Sequence, residues 1–237
     1  MIDINCDLGE GLHNEHIIMP LISSCNISCG AHAGSIEIID KVIQLAVKHK
    51  VKIGAHPSFP DRQNFGRKVL NISNSELRKS LENQLTIFKD RVLLQDATIH
   101  HIKPHGALYN LIAVNREKAL VVIAAIQHVF EAVKLYVPYQ SSIEEVAIQN
   151  GLEIVYEAFA DRRYNEDLSL VSRTLSNSLI VDKYEVLKQV QKISDKQLVT
   201  TVNLNEKEIK ASTFCVHGDT KNAIEILQYL HKHIHTK

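Results

Sequence analysis

Seven short runs of strand-forming residues recur along this chain, separated by longer stretches whose apolar residues fall at helical spacing, and this alternation constrains the fold more than any other feature. The runs are residues 2–5, 22–28, 52–55, 100–103, 135–138, 153–158 and 213–217. Strand followed by helix, repeated, builds a parallel sheet with helices outside it. The 237 residues fit a single α/β barrel domain spanning 1–237, one strand short of a full eight.

The intervening stretches carry helical signals of their own. Residues 36–48 place Ile39, Val42, Ile43, Ala46 and Val47 at helical spacing, and Leu77, Leu81, Leu85 and Phe88 form a second apolar stripe, so both read as outer-ring helices. Ser73-x-x-Glu76 and Ser142-x-x-Glu145 fit capping boxes, and Gly151 follows the second helix as its C-terminal cap. Residues 220–235 put Ala223, Ile224, Leu227 and Leu230 on one face before a Lys- and His-rich tail. The pattern is weakest over residues 159–212, where 184–192 reads as helix and 199–203 as an added strand.

Charge and cysteine usage narrow the class of protein. Lys plus Arg and Asp plus Glu are 27 each, so no net field favours nucleic acid or an anionic membrane. Every apolar run is interrupted before the ~18 residues that a membrane span requires. Cys6, Cys25, Cys29 and Cys215 are scattered through strand-like context, and residue 1 is not followed by a basic and then apolar leader, which together point to a reducing cytoplasm without disulfides.

Four histidines share one local context: Gly30-Ala31-His32-Ala33-Gly34, Gly54-Ala55-His56-Pro57, Pro104-His105-Gly106 and Val216-His217-Gly218. Each lies at or near a strand end beside Gly or Pro, and apart from Gly151 all the glycines fall at or just after strands, where loops wrap ligands in α/β barrels. One such histidine alone could satisfy a rim hydrogen bond. Four on one rim indicate a site. The remaining histidines, including His13, His16, His49, His128 and the tail group His231, His233 and His235, read as solvated surface residues.

The N-terminal Asp3-Ile4-Asn5-Cys6-Asp7-Leu8-Gly9-Glu10 is no calcium loop, because Leu8 and Asn14 stand where an EF-hand needs Gly and Glu. On a strand, Asn5 and Asp7 project to the same side with Glu10 on the following turn, so Asp7 and Glu10 either bring carboxylates to the histidine rim or cap the loop. Arg62 and Arg67, and Asp161 with Arg162, bring charge to the same end. An Arg fork grips a carboxylate or phosphate, although each of these could pair with the adjacent Asp61 or Asp161. Lys103 ends an apolar strand and needs a buried partner or a ligand. P-loop, dinucleotide-fold, zinc-type cysteine and serine-elbow motifs are absent from the sequence.

The ordered stretches Asn5-Cys6-Asp7-Leu8-Gly9-Glu10, SSCNISCGAHAG at 23–34, IGAHPSFPDRQNFG at 53–66, KPHGALYN at 103–110, EAFADRRY at 157–164 and CVHGDT at 215–220 resemble the LamB/YcsF family along nearly the whole chain. The resemblance implies a TIM-like, seven-stranded (β/α) barrel of the glycoside hydrolase/deacetylase superfamily. It also implies the A subunit of an ATP-dependent 5-oxoprolinase, which acts with subunits B and C to open the lactam of 5-oxo-L-proline (pyroglutamate) to L-glutamate, with ATP used by the assembled complex. Under that activity Asp7 or Glu10 with His105 takes acid/base roles, and Lys103 or an Arg holds negative charge. His32, His56, Arg62, Arg67, Glu157, Asp161, Arg162 and His217 complete the substrate site.

Two other readings of the same residues stay open. One is a metal-dependent amide or carbohydrate deacetylase, with a divalent metal on Asp7, His32 and His56; the other is a non-catalytic binding or regulatory subunit. The chain could also self-associate as a homo-oligomer. Relative to the family, this chain is shorter at Gly11-Leu12-His13-Asn14-Glu15-His16, and has Ala31, Ser35 and Leu168 where members tend to carry Phe, Asp and Gly.

Overall fold

Along β1 (Asp3–Leu8) the side chains alternate between polar and apolar, Asn5 and Asp7 on one side and Ile4, Cys6 and Leu8 on the other, and both sides are buried. A strand buried on both faces belongs inside a layered structure, and the computed structural model, which describes residues 2–234, supplies both layers. β2 (Ser24–Ser28), β3 (Lys52–His56), β4 (Ile99–Ile102), β5 (Lys134–Pro138) and β6 (Ile154–Phe159) follow in order. A short antiparallel pair, β7 (Leu198–Thr200) and β8 (Glu206–Glu208), stands apart, and β9 (Thr213–Cys215) returns to the sheet. The parallel order β1-β2-β3-β4-β5-β6-β9 closes into a barrel, with β9 paired to both β6 and β1.

All seven expected runs are barrel strands, with shifted ends: β1 extends to Leu8 and β9 stops at Cys215. The strand expected over 199–203 is β7, outside the barrel. The ring of helices comprises α1 (Glu15–Ile18), α2 (Ile36–His49), α3 (Asn74–Leu93), α4 (Gly106–Val114), α5 (Arg116–Val129), α6 (Ser142–Gln149), α7 (Lys183–Lys196) and α8 (Ala223–His233). The α3 stripe Leu77, Leu81, Leu85 and Phe88 is fully buried, and α3 packs on α5, whose Val122, Ile123 and Ile126 are also buried.

Cap chemistry fixes the helix starts. Ser73 and Glu76 form the expected capping box. The second box is shifted by one residue, to Ser141 and Glu144, because Ser142 already lies within α6. Val47 is exposed on α2, and on α8 Ile226 takes the buried place expected of Ile224, which is only partly covered. Among the described residues no helix is long and apolar enough to cross a membrane, and the four cysteines are free and buried.

The barrel interior is polar. Asn26 Nδ2 donates to Asn5 Oδ1 and Asp7 Oδ1, both at 2.8 Å, and Asn5 Nδ2 donates to Glu157 Oε1 at 2.9 Å and Thr213 Oγ1 at 2.8 Å. His101 corrects the expectation that the remaining histidines are solvated: it is fully buried, 2.7 Å from Asn26 Oδ1 through Nε2 and stacked on Tyr136 at 3.8 Å. The register of β3 against β4 shifts between Ile53 and Gly54, and the His101 ring fills the space where a Gly54 Cβ would stand. The exposed His231 and His233 fit the surface reading, while His235 lies outside the described residues.

Candidate active site

The loops leaving β1, β2 and β4 deliver Glu10, His32 and His105 to one end of the barrel, where His56 is the last residue of β3. His32 and His105 stack in parallel, centroids 3.8 Å apart and 1° between planes, while His56 meets both edge-on. Glu10 Oε1 lies among them, 3.0 Å from His32 Nε2, 3.3 Å from His105 Nδ1 and 3.7 Å from His56 Nε2.

A loop from Asp61 to Arg67 clasps this cluster. Phe65 packs edge-on against His32 and His105, and its carbonyl oxygen accepts from His105 Nε2 at 2.9 Å. Phe65 holds a left-handed φ of 55°, a strained conformation for a bulky residue that the surrounding contacts must maintain. Gly66 follows at φ 63°, and a Cβ there would stand 2.9 Å from the His105 ring. Burial lowers the His32 imidazole to about 2 and pushes His105 well below the usual histidine range; burial and then Asp7 raise Glu10.

Behind the cluster Lys103 finds the buried partners that its position demands. Its Nζ lies 2.9 Å from Asp7 Oδ1, 3.1 Å from Glu157 Oε1 and 3.0 Å from Cys215 Sγ. Burial would lower its pKa, but Asp7, Cys215 and Glu157 more than offset that and hold it well above the usual lysine value. Burial likewise opposes the charge on Asp7, yet His56 and Lys103 keep its carboxyl well below the usual range. Lys103 is therefore a fixed ammonium that balances buried carboxylates, not a lysine ready to lose its proton.

Across the mouth, Asp161 and His217 form a second unit. His217 Nδ1 lies 2.9 Å from Asp161 Oδ1, its backbone N–H donates to Asp161 Oδ2 at 3.0 Å, and the Thr220 hydroxyl donates there at 2.5 Å. Burial raises Asp161, but His217 and these donors hold it below the usual range, so the carboxylate only accepts and Nδ1 carries the hydrogen. Nε2 is left for the cavity. His217 stacks on Phe159, centroids 5.4 Å apart and 13° between planes.

Both units open on a cavity of about 430 Å³ lined by Asp7, Glu10, Lys103, Arg162 and His217, with Arg67, Arg173 and Asp219 at its lip. Arg162 is buried and among the described residues bonds carbonyls only, at Val171 (2.6 Å) and Ser178 (3.4 Å); neither it nor Arg62 takes up the alternative of pairing with its adjacent Asp. Arg67 and Arg173 share Asp219, at 2.5 and 3.2 Å. Arg62 turns outward to the Gly34 carbonyl and lines no part of this cavity. Glu157 sits beneath it, sealed against Lys103 and Asn5.

All four rim histidines thus share one end, as the strand-end motifs imply. The metal set of the alternative deacetylase reading, Asp7, His32 and His56, is not the grouping that the structure brings together: among the described residues the ligand atoms that converge are those of Glu10, His32, His56 and His105, and separately Asp7, Cys215 and His217. Asp7 turns one oxygen to Lys103 and the other to 3.4 Å from His56 Nε2. Sequence patterns alone did not single out Ser58, Phe65 and Cys215 as parts of the site; the repeated strand-end context around them was the available signal. Two departures have physical readings. Ser35 caps α2 through Ile38 N–H, as an Asp can, and Leu168 adopts φ 65°, the conformation that favours glycine.

Comparison with known proteins adds an independent line. The profile of the LamB/YcsF family matches residues 2–237. A Bacillus cereus (strain B4264) protein, named as the A subunit of 5-oxoprolinase, is 38% identical over 237 residues, covering 98% of this chain and 94% of that protein. One of the same name from Bacillus thuringiensis subsp. konkukian (strain 97-27) is 37% identical with the same coverage. The crystal structure of the lactam utilization protein from Thermus thermophilus superposes with a TM-score of 0.91 at 32% identity, covering 98% of this chain and 94% of that one. A putative cellobiose-phosphate cleavage protein of Enterococcus faecalis V583, at 11% identity and a TM-score of 0.59 over 97% of this chain and 90% of that one, shares the fold.

Proposed function

This chain belongs to the LamB/YcsF family, and on that premise we propose that it is the A subunit of an ATP-dependent 5-oxoprolinase, opening the lactam of 5-oxo-L-proline to L-glutamate with B and C subunits. The observation that carries this reading is the Asp161-backed His217 opening on a cavity whose rim holds Arg67, Arg162 and Arg173. A small anionic amide meets there three guanidiniums, two of them sharing Asp219, and an imidazole whose Nε2 is free for proton transfer.

An unstrained lactam resists opening, so ATP is spent on making its carbon electrophilic. Transfer of the γ-phosphoryl group to the lactam oxygen releases ADP and activates the ring carbon. His217 takes a proton from the attacking water, the ring C–N bond breaks, and the nitrogen leaves protonated; hydrolysis of the acyl phosphate then frees phosphate. Arg162, which has no carboxylate partner among the described residues, holds the substrate carboxylate or the phosphoryl oxygens. Lys103 and Asp7 keep the floor of the site charged and ordered. His105, expected in the acid/base role, has Nε2 on the Phe65 carbonyl and Nδ1 turned into the cluster, so His217 suits proton transfer to a ligand better. With no P-loop in this chain, partner subunits contribute to the nucleotide site.

The test is 5-oxoproline-dependent release of ADP and glutamate, measured for this chain alone and with candidate B and C subunits. Release by the assembly at a rate well above either part alone supports the reading; an assembled complex inert toward 5-oxoproline contradicts it. A second reading, a metal-dependent deacetylase-type hydrolase, is favoured by the convergence of Glu10 with three histidines, and ATP-independent cleavage of an acetamido or cyclic amide substrate distinguishes it.

A further inference from the structure

The histidine cluster poses a problem in hydrogen-bond accounting. His56 Nδ1 lies 2.6 Å from the Lys103 carbonyl oxygen and His105 Nε2 lies 2.9 Å from the Phe65 carbonyl oxygen. Carbonyls only accept, so these nitrogens carry the ring hydrogens. His32 Nδ1 lies 2.9 Å from Ser58 Oγ, whose own hydrogen goes to the Phe59 carbonyl at 2.9 Å, so that nitrogen also donates. Each neutral ring then turns a bare lone pair inward, at His32 Nε2, His56 Nε2 and His105 Nδ1.

The inward lone pairs meet one another and a carboxylate. His56 Nε2 and His105 Nδ1 are 2.9 Å apart, and Glu10 Oε1 lies 3.0, 3.3 and 3.7 Å from the His32, His105 and His56 nitrogens. The nearest further group, Asp7 Oδ2 at 3.4 Å from His56 Nε2, is another acceptor. A bridging proton relieves one such contact and leaves the others opposed. A cation at the centre satisfies all of them.

We propose that Glu10, His32, His56 and His105 hold a divalent transition-metal ion, with zinc the ion of best fit to three imidazole nitrogens and one carboxylate oxygen. Metal bonds of about 2.0–2.1 Å in a tetrahedron set neighbouring ligand atoms about 3.3 Å apart; four of the six ligand pairs stand 2.9, 3.0, 3.3 and 3.7 Å apart, which brackets that spacing, and all four atoms lie within 4.8 Å of one another. The oxygens behind each ring are the partners that orient metal-binding histidines and fix their tautomers. His32 and His105 stack in parallel with centroids 3.8 Å apart, so one ion cannot lie in both ring planes and the two rings must tilt toward a shared ion; the clasp of Phe65 and Gly66 keeps their inward nitrogens on the same side. An ion there would supply Lewis-acid stabilisation at the edge of the cavity. Binding is read on the metal and not on turnover, so this site stands or falls separately from the lactam reading.

The experiment uses the full-length untagged chain, stripped with a chelator, desalted, and titrated with Zn²⁺ against a competing chromophoric chelator, with bound metal counted by elemental analysis. About one equivalent per chain is expected. Glu10→Gln and His105→Gln should each weaken binding by more than the roughly 10–100-fold that follows loss of a hydrogen-bond partner behind a ligand, whereas His217→Gln should stay within about twofold of the unsubstituted chain. X-ray absorption of the unsubstituted Zn²⁺ form provides a readout independent of how the variants fold: imidazole scattering with no sulfur shell is expected. Absence of stoichiometric binding by the folded chain overturns the proposal. So does unchanged affinity in both folded ligand variants, or a sulfur shell, which would move the ion to Asp7, Cys215 and His217.

Discussion

The two faces of the barrel strands carry opposite chemistry on the same backbone. Outward, Ile4, Leu8, Ile27, Ile53, Ala55 and Ile102 meet the helices in an apolar layer; inward, Asn5, Asp7, Asn26, His56, His101 and Lys103 form a hydrogen-bonded and charged interior. Apolar burial rewards many substitutions about equally, so the outer layer supplies stability with little demand on residue identity. A buried ion pair is weak evidence of stability, because desolvation of both charges offsets their attraction. Its place beneath the mouth is better explained by chemistry than by folding. Inner substitutions are therefore expected to destroy function whatever they do to stability, while outer ones weaken the fold and spare the chemistry.

The largest stability effect should nevertheless come from inside, when one partner of the charged network is removed. Lys103→Met leaves Asp7 and Glu157 facing each other without a counter-charge and should cost about 3–5 kcal/mol, read by urea denaturation. A loss under about 1 kcal/mol would show that the interior charges are already neutralised by other means, and the contrast between faces would weaken. Leu81→Ala tests the outer layer. It should cost on the order of 2–5 kcal/mol through lost burial and a cavity, with turnover per folded molecule in the assembled complex unchanged; wild-type stability in a chemical melt would mean that the buried α3 face is not the one holding the helix down.

Gly54→Ala reaches the interior from the backbone. Its Cβ would overlap His101 Nε2, so His101 must leave Tyr136 or the strand must shift, at a cost of roughly 1–3 kcal/mol. A variant as stable as the parent would mean that His101 moves freely, against the close-packed interior described above. The smallest effect belongs to the solvent edge of the outer layer, where Ser73→Ala removes one half of the α3 capping box. About 1 kcal/mol is expected, seen as a drop of roughly 2–4 °C in the melting midpoint, and a drop several times larger would give that cap a tertiary role.

The outer layer was legible in sequence because its signal is local. Strand runs and helical stripes repeat at short, fixed spacing, which is why all seven barrel strands and the α3 core face fall where periodicity puts them. The inner network was legible only in part. Asn5 and Asp7 show their common side within one strand, but Lys103 meets Asp7 and Cys215 across the barrel, from strands whose register no local pattern states. Polar residues at alternate positions in Ser24, Asn26 and Ser28, and again in His101 and Lys103, were a usable signal for an interior lined with hydrogen-bonding groups.

The rim divides in the same way. His32, His56, His105 and His217 were readable from their glycine and proline neighbours, whereas Arg62 and Arg67 share one loop and only the folded path turns Arg67 to the cavity and Arg62 away from it. Residues 160–182 hid their structure because they are held by loop hydrogen bonds and isolated bridges, such as Asn165 to Ser169 and Tyr164 to Leu170, with no period to detect.

The most direct test of the claim that the polar mouth exists for lactam opening is steady-state, 5-oxoproline-dependent ADP release by the assembled complex carrying His217→Gln, with a melting curve on the same preparation. His217 is part of the rim rather than of the strand-to-helix layer, so its loss should leave the melting midpoint within a few degrees of the parent. Removing a positioned proton-transfer group should lower turnover by about 10²–10⁴-fold. Near-normal turnover per folded molecule would contradict the account and return the Asp161–His217 pair to a purely structural role.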